Sequence, residues 1–154
     1  TNPAPTKRKV MKIAGSYQFN TTAAKVWEVL TDPKHLKQCI PGCEELKPKG
    51  DGEYLVVLTV AVGPIRGKYN AKITMQDQVV HQSYRLLAEG SGSSGFINGE
   101  ALITLVEEGG ETTVQVDGDS QVGGPIARVG QRMMGSVAKG MMDRFFNCLQ
   151  QSAQ

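Results

Sequence analysis

PIARVGQRMMGSVAKGMMDRFFNCLQ, residues 125–150, is the stretch that decides the fold. At about 100° per residue its polar side chains gather on one side and its apolar side chains on the other, which predicts an amphipathic helix. With about 25 residues, such a helix is long enough to cross a whole β-sheet. Its apolar face consists of Ile126, Ala127, Gly130, Met133, Met134, Val137, Ala138, Met141, Phe145 and Cys148.

The same stretch has an unusual composition for a helix that packs on a core. Residues 132–146 hold four of the six methionines of the chain and two interior glycines, Gly135 and Gly140. A glycine in a helix interior costs about 1 kcal/mol relative to alanine, and methionine is the most adaptable apolar side chain. This composition favours a surface that adapts to what it contacts. Met142 and Phe146 lie off the apolar face, and we predict that they dock on a partner protein.

The remainder of the chain is dominated by alternating apolar and polar residues, which indicates β-strands. The clearest alternation, IRGKYNAKITMQ at residues 65–76, is typical of an antiparallel strand with one face in water. A strand from Met11 to Phe19 precedes two short helices, which start after residues 20–22 and at Asp32-Pro33. Further strands are predicted in CEELKPK (43–49), EYLVVLTVAV (53–62), SYRLLAEG (83–90), FINGEALITLVE (96–107) and TTVQVDGDSQV (112–122), with turns at Gly63-Pro64 and Gly109-Gly110.

The resulting order, β-α-α-β6-α, predicts the α+β class, with one curved antiparallel sheet wrapped around the long C-terminal helix. We expect a single domain over residues 11–150 and a flexible basic segment over residues 1–10, which contains Lys7, Arg8 and Lys9. Without these three charges the net charge of +2 becomes −1, which argues against nucleic acid as the main partner.

Two further observations favour a cytoplasmic protein. No secretory signal is apparent, and the longest apolar run, LVVLTVAV at residues 55–62, is too short to span a bilayer. The three cysteines, Cys39, Cys43 and Cys148, form an odd set, which we interpret as free thiols in a reducing compartment.

Motifs that would carry catalysis or cofactor chemistry are weak. GSGSSG at residues 90–95 matches a dinucleotide-binding fingerprint, but a strand rather than a helix follows it, so we predict a hairpin loop. The cysteines and the two histidines lack the spacing of a metal site. Asp117 and Asp119 alternate with the apolar positions of their strand, which predicts solvated carboxylates. We therefore expect no catalytic residues and no metal or covalent cofactor.

Small residues recur on the inward face of the predicted sheet, where a filled core would carry Leu or Ile. They could let the helix approach the sheet closely, or they could relieve curvature at bulges. The alternative that we favour is an apolar cavity with the last helix as its wall. The inward small residues are Gly15, Gly67, Gly99, Ala101, Gly118 and Ser120.

Four segments of the chain resemble the family of the G subunit of carbon monoxide dehydrogenase. They are MKIAGSYQFNTTAAKVWEVLTDPKHLKQCIPGCEEL (11–46), VGPIRGKYNAKI (62–73), EGSGSSGFINGEALITL (89–105) and GGPIARVGQRMMGSVAK (123–139). The family belongs to the START-like (SRPBCC) helix-grip superfamily. The resemblance implies the superfamily fold, an antiparallel sheet gripping a long C-terminal helix around an apolar cavity, which agrees with the order derived above.

The resemblance also implies an accessory rather than a catalytic role. Members accompany molybdenum-containing carbon monoxide dehydrogenases and related oxidoreductases, which they are thought to link to the membrane and its quinone pool. Many members continue into a linker and a hydrophobic C-terminal anchor. Neither a linker nor an anchor occurs before Gln154. Two explanations remain open: such a tail was removed, or the chain is a soluble member of the family. We expect a cytoplasmic protein at the inner face of the cytoplasmic membrane, with peripheral membrane contact.

These arguments combine into one hypothesis, an accessory protein that binds an isoprenoid quinone or a lipid for such an oxidoreductase. The methionines would form an adaptable wall, Gly130 and Gly140 would leave room, three tyrosines would hydrogen-bond a polar head group, and Phe96 would gate the mouth. The predicted ligand-binding residues are Tyr17, Tyr69, Tyr84, Phe96, Ile97, Gly99, Gly118, Gly130, Met133, Met134, Val137, Met141 and Phe145.

Two alternatives remain open. The first is a membrane-recruitment or assembly adaptor for the same oxidoreductase, with a filled core and no ligand. The second is a START-like enzyme, since the wider superfamily includes cyclases and hydrolases.

Overall fold

The computed structural model describes residues 9–62 and 65–153, and this part of the chain has the predicted order β-α-α-β6-α. The predictions for residues 1–8 and for the turn at Gly63-Pro64 lie outside the described residues. The bounds are β1 Lys9–Phe19, α1 Ala23–Thr31, α2 Pro33–Cys39, β2 Cys43–Gly50, β3 Glu53–Val62, β4 Ile65–Val79, β5 Ser83–Gly92, β6 Gly95–Glu108, β7 Glu111–Gly123, a 3-10 turn Pro125–Val129, and α3 Gln131–Ser152.

The seven described strands form one antiparallel sheet in the order β1-β7-β6-β5-β4-β3-β2. Each strand from β2 to β6 pairs with the next strand along the chain, and β1 pairs with β7. β1 includes Lys9, which pairs with Val122, two residues before the boundary predicted at Met11. As predicted, GSGSSG is the hairpin between β5 and β6, with Gly92 paired to Gly95.

The two short helices begin as their capping residues predict. The side chain of Thr22 accepts a hydrogen bond from the Lys25 backbone N–H at the start of α1. The side chain of Asp32 does the same for the Lys34 backbone N–H at the start of α2. Each cap satisfies a backbone donor that the first helical turn leaves unpaired, so the chain turns from strand to helix at these residues.

The terminal helix is shorter than predicted because the chain breaks at Gly130. This residue has a φ of +94°, a backbone conformation that L side chains rarely adopt, and it separates the 3-10 turn from α3. The 22 residues of α3 span about 33 Å, which still crosses the sheet. Within residues 9–62 and 65–153, no helix combines the length and the apolar character needed to cross a bilayer.

Two apolar clusters hold α3 against the sheet. The larger includes Phe19, Leu30 and Leu149, each at most 1% exposed, and lies under α1, α2 and the C-terminal half of α3. The smaller includes Val122 and Met134 and lies under the N-terminal half of α3. Each end of the helix is therefore anchored in its own core.

A disulfide bond joins the last residue of α2 to α3. Cys39 and Cys148 are 109 residues apart in sequence, and their Cα atoms lie 5.4 Å apart. The prediction of three free thiols was therefore wrong, because only the fold brings these two cysteines together, and the argument for a reducing compartment no longer holds. Cys43 is the free cysteine, and burial raises the pKa of its thiol above the ordinary value.

Candidate functional site

An apolar cavity of about 430 Å³ lies between the concave face of the sheet and α3. This volume falls within the range of about 300 to 1,000 Å³ that is typical of small-molecule sites. The lining comes from every strand except β2, from α2 and the residues that follow it, and from α3, and it is almost wholly apolar. The structure thus contains the hollow that the small inward residues predict.

The floor of the cavity contains a row of small residues on three neighbouring strands. Ser120 of β7 pairs with Gly99 of β6, and Gly99 pairs with Ala88 of β5. All three residues line the cavity. A Cβ on residue 99 would meet only ordinary contacts at 3.7 Å, so the missing side chain leaves usable space above the sheet.

The roof of the cavity is α3, which contributes three methionines. Met134, Met141 and Met142 line the cavity together with Val137, Ala138 and two phenylalanines, Phe145 and Phe146. Unbranched thioether side chains re-pack at low cost, so this roof can adapt to an irregular apolar ligand.

Two of the small inward residues act by close packing instead. A Cβ on Gly118 would lie 2.0 Å from the carbonyl oxygen of Glu100, so this glycine permits close approach of β6 and β7. A Cβ on Gly15 would lie 3.1 Å from the terminal carbon of Met142, so this glycine lets α3 approach β1. The alternative in which the helix approaches the sheet closely is therefore right at Gly15, whereas at Gly118 the close contact is between two strands. Neither residue lines the cavity.

The three tyrosines predicted to contact a head group have different surroundings. Tyr69 lines the cavity and its hydroxyl hydrogen-bonds Ser94. Tyr84 also lines the cavity, and burial raises the pKa of its hydroxyl above the ordinary value. Tyr17 does not line it, since its hydroxyl donates to Asp143 and its ring stacks on Phe146 at 4.2 Å between centroids. The structure thus brings two of the three tyrosines to the cavity.

Comparison of the sequence with known families identifies its relatives. The profile of the CoxG family, described as the G subunit of carbon monoxide dehydrogenase, matches residues 15–154. The chain belongs to the CoxG family. No curated protein matches it.

Solved structures share the fold of this CoxG chain over nearly its whole length. A conserved protein from Geobacillus kaustophilus is 35% identical, with a TM-score of 0.90 over 93% of this chain and 95% of that one. A START superfamily protein from Mycobacterium smegmatis is 13% identical, with a TM-score of 0.72 over 92% and 96%. The Zhui aromatase/cyclase from Streptomyces sp. R1128 is 17% identical, with a TM-score of 0.68 over 94% and 94%. The predicted START-like fold is confirmed.

On α3 of the CoxG chain, the prediction of which side chains face the cavity and which face outward was wrong at three positions. Met133, expected in the wall, is 42% exposed and does not line the cavity. Phe146, expected on a docking surface, is 4% exposed and packs on Tyr17, and Met142 lines the cavity. The buried face of α3 is therefore displaced around the helix axis from the predicted face, away from Met133 and toward Met142 and Phe146.

Two glycines and one phenylalanine of the predicted site also lie outside the cavity lining. Gly130 breaks the chain before α3, and Gly140 is exposed with open space around it, so neither makes room for a ligand. Phe96, expected as a gate, has its ring against Gly123, where a Cβ would lie 2.1 Å away. Its neighbour Ile97 lines the cavity, as do Gly99, Met134, Val137, Met141 and Phe145.

Sequence reasoning missed a second wall, formed by the strands on the other side of the cavity. Val56, Leu58 and Val60 of β3 and Ile73 and Met75 of β4 line it. The signal was present in the alternation of these strands, which places the same residues on the inward face.

Ionisable side chains are scarce around the cavity. The described lining residues include one carboxylate, Glu100, which pairs with Arg85 on the exposed side of the sheet. Asp117 and Asp119 are exposed, as predicted. Among the described residues, no group of three or more His, Cys, Asp and Glu side chains is placed to hold a metal ion. The chemistry that this lining supports is apolar binding with a few hydroxyl contacts.

Proposed function

We propose that this CoxG-family chain is a non-catalytic carrier that binds an isoprenoid quinone or a similar lipid between the sheet and α3. The single observation that carries the proposal is the apolar cavity of about 430 Å³ with a methionine-rich roof. Such a lining offers a long apolar tail many contacts and few competing polar groups.

The proposal includes a partner, an oxidoreductase of the carbon monoxide dehydrogenase type. The description of the family as a subunit of that enzyme supports this choice. In this role the chain would collect its ligand by peripheral contact at the cytoplasmic face of the membrane and link the oxidoreductase to the membrane quinone pool.

Magnitudes set a lower limit on the size of the ligand. Each methylene moved from water into the cavity contributes about 0.8 kcal/mol, whereas association costs an estimated 4 to 15 kcal/mol. About ten buried carbons would therefore only break even. A ligand drawn from a membrane gains less, because lipid already shields its tail, so shape and head-group contacts must supply the difference. Moderate affinity suits a carrier, which has to release what it binds.

The direct test is extraction of the full chain after purification from its own host, followed by mass spectrometry of the organic phase. We expect one class of isoprenoid quinone or lipid in a fixed ratio to protein. A preparation that is fully folded, judged by its melting curve, and yet yields no such molecule would overturn the carrier role.

A variant of the chain distinguishes a carrier from an adaptor that binds no ligand. Met141→Trp places a bulky side chain in the roof of the cavity. A carrier should lose its ligand and stop supporting quinone reduction by the oxidoreductase, while a pure adaptor should keep both the binding of the enzyme and its activity.

A further inference from the structure

One polar atom in the cavity wall has no partner. Ser120 is 3% exposed and lines the cavity, and its hydroxyl oxygen makes no hydrogen bond to any described residue. Buried hydroxyls in folded proteins are nearly always hydrogen-bonded, because an unpaired one gives up its bonds to water without replacement. Ser120 is thus the single described side chain whose buried polar atom the fold leaves unsatisfied.

The two strands beside Ser120 present residues of very different size. On β1 its partner is Met11, a long side chain, whereas on β6 its partner is Gly99, which has none. Beyond Gly99 lies Ala88, the next residue in the same row. Strands are about 4.8 Å apart, so Gly99 and Ala88 form a flat patch about 10 Å wide beside the serine. Rotation about χ1 turns the hydroxyl toward this patch.

An ordered water fits this position poorly. A buried water needs about two to four polar partners. The inward neighbours of Ser120 on β1, β6 and β7 are apolar: Met11, Ile13, Ile97, Gly99, Ala101, Gly118 and Val122. A water there would find the serine hydroxyl and little else, whereas an oxygen held on an apolar ligand needs no further partner.

We propose that the cavity takes a ligand with a flat ring bearing a carbonyl or hydroxyl oxygen, and that Ser120 hydrogen-bonds this oxygen while the ring lies over Gly99 and Ala88. This inference rests on the proposed carrier function and adds the position and chemistry of the head group. A saturated hydrocarbon chain, or a ring without oxygen, would fill the same space and leave Ser120 unsatisfied.

The test compares two probes of the same carbon skeleton, one with two ring carbonyls and one with ring C–H groups in their place. They are 2-methyl-3-phytyl-1,4-naphthoquinone and the matching 2-methyl-3-phytylnaphthalene, partitioned from phosphatidylcholine vesicles onto the delipidated full chain. We expect the quinone to bind about three- to tenfold more tightly, the range for one neutral hydrogen bond. Ser120→Ala should abolish this preference and leave hydrocarbon binding unchanged. Ser120→Thr, which keeps the hydroxyl, should retain it.

Ser16→Ala is the matched control, since Ser16 is an exposed serine of β1, and it should behave as wild type. Melting temperatures check that each variant is folded. Equal binding of both probes to wild type, with no effect of Ser120→Ala, would overturn the head-group assignment and leave the carrier role intact. Failure of both probes to bind wild type would overturn the carrier role and this inference together.

Discussion

The hydroxyl of Tyr17 donates a 2.7 Å hydrogen bond to Oδ1 of Asp143, across 126 residues of sequence. This bond joins the first strand to the helix that roofs the cavity. The same ring stacks on Phe146, and the ammonium of Lys139 lies 5.6 Å above the ring centroid while it also binds Asp143. Tyr17 therefore contacts α3 both through its hydroxyl and through the face of its ring.

Tyr17→Phe should remove the hydrogen bond and keep the stacking. We expect the free energy of unfolding to fall by about 1 kcal/mol, the usual contribution of one such bond. Urea denaturation monitored by circular dichroism measures the change, and Ser16→Ala on the exposed face of the same strand is the control. An unchanged urea midpoint would show that the bond contributes nothing to the attachment of α3.

The Asp143 carboxylate gives the chain a specific sensitivity to acid. Hydrogen bonds from Lys139 and then Tyr17 lower the pKa of this carboxyl. A lowered folded-state pKa stabilises the fold above the unfolded pKa of about 4, and that contribution disappears as the pH falls through the folded value. Between about pH 4 and pH 2, the urea midpoint of wild type should fall more steeply than that of Asp143→Asn. Parallel curves would contradict the pairing.

Replacement by alanine should destabilise the chain strongly at Gly118 and little at Gly99. Gly118→Ala pushes a Cβ to 2.0 Å from a backbone oxygen and should destabilise the chain by about 3 kcal/mol or more. Gly99→Ala meets ordinary contacts at 3.7 Å and should change stability by less than about 1 kcal/mol. Thermal unfolding of the two variants side by side distinguishes them, and similar losses would argue against the hollow above Gly99.

Gly99→Leu tests whether the ligand occupies the cavity above this residue. The leucine side chain would occupy the floor of the cavity without a backbone clash. We expect the extracted ligand to fall below a tenth of the wild-type amount, about the loss that 1.4 kcal/mol of affinity produces. Gly140→Ala is the control, because this exposed helical position has open space around it, and it should keep the ligand and gain up to about 1 kcal/mol of stability. Full ligand content in a folded Gly99→Leu would place the ligand elsewhere.

The disulfide between Cys39 and Cys148 should contribute measurably to stability. The double variant Cys39→Ser/Cys148→Ser should unfold with about 2 to 4 kcal/mol less free energy, since the bond closes a long loop in the unfolded chain. Cys43→Ser should change little. Thiol titration of the denatured, unreduced protein should find one free thiol. Three free thiols in protein from its own host would show that the bond is absent in its compartment.

Periodicity was sufficient to predict the order of elements and the inward face of most strands. The alternation over residues 65–76, for example, places Ile65, Tyr69 and Met75 on the buried face, where the structure has them. The resemblance to the family further predicted that the sheet wraps around the last helix. These features depend on spacing within one segment, which a sequence displays directly.

The role of each small residue could not be predicted, because it depends on which strand lies opposite. A Cβ would meet the backbone of β6 at Gly118, the side chains of Tyr17 and Met142 at Gly15, and ordinary contacts beside the cavity at Gly99, yet the three glycines look alike in sequence. The buried face of α3 depended on how the helix packs against the sheet, and the pairing of Cys39 with Cys148 depended on the packing of α2 against α3.

The covalent link at Cys148 also determines how far each part of α3 can travel. Met134 lies 14 residues earlier on the same helix, about 21 Å along the helix axis. A tilt of about 10° pivoting on Cys148 would carry Met134 outward by about 4 Å, close to the thickness of an aromatic ring, while the disulfide stays still. The disulfide thus holds the C-terminal part of α3 against α2, and any tilt of the helix would displace its N-terminal part most.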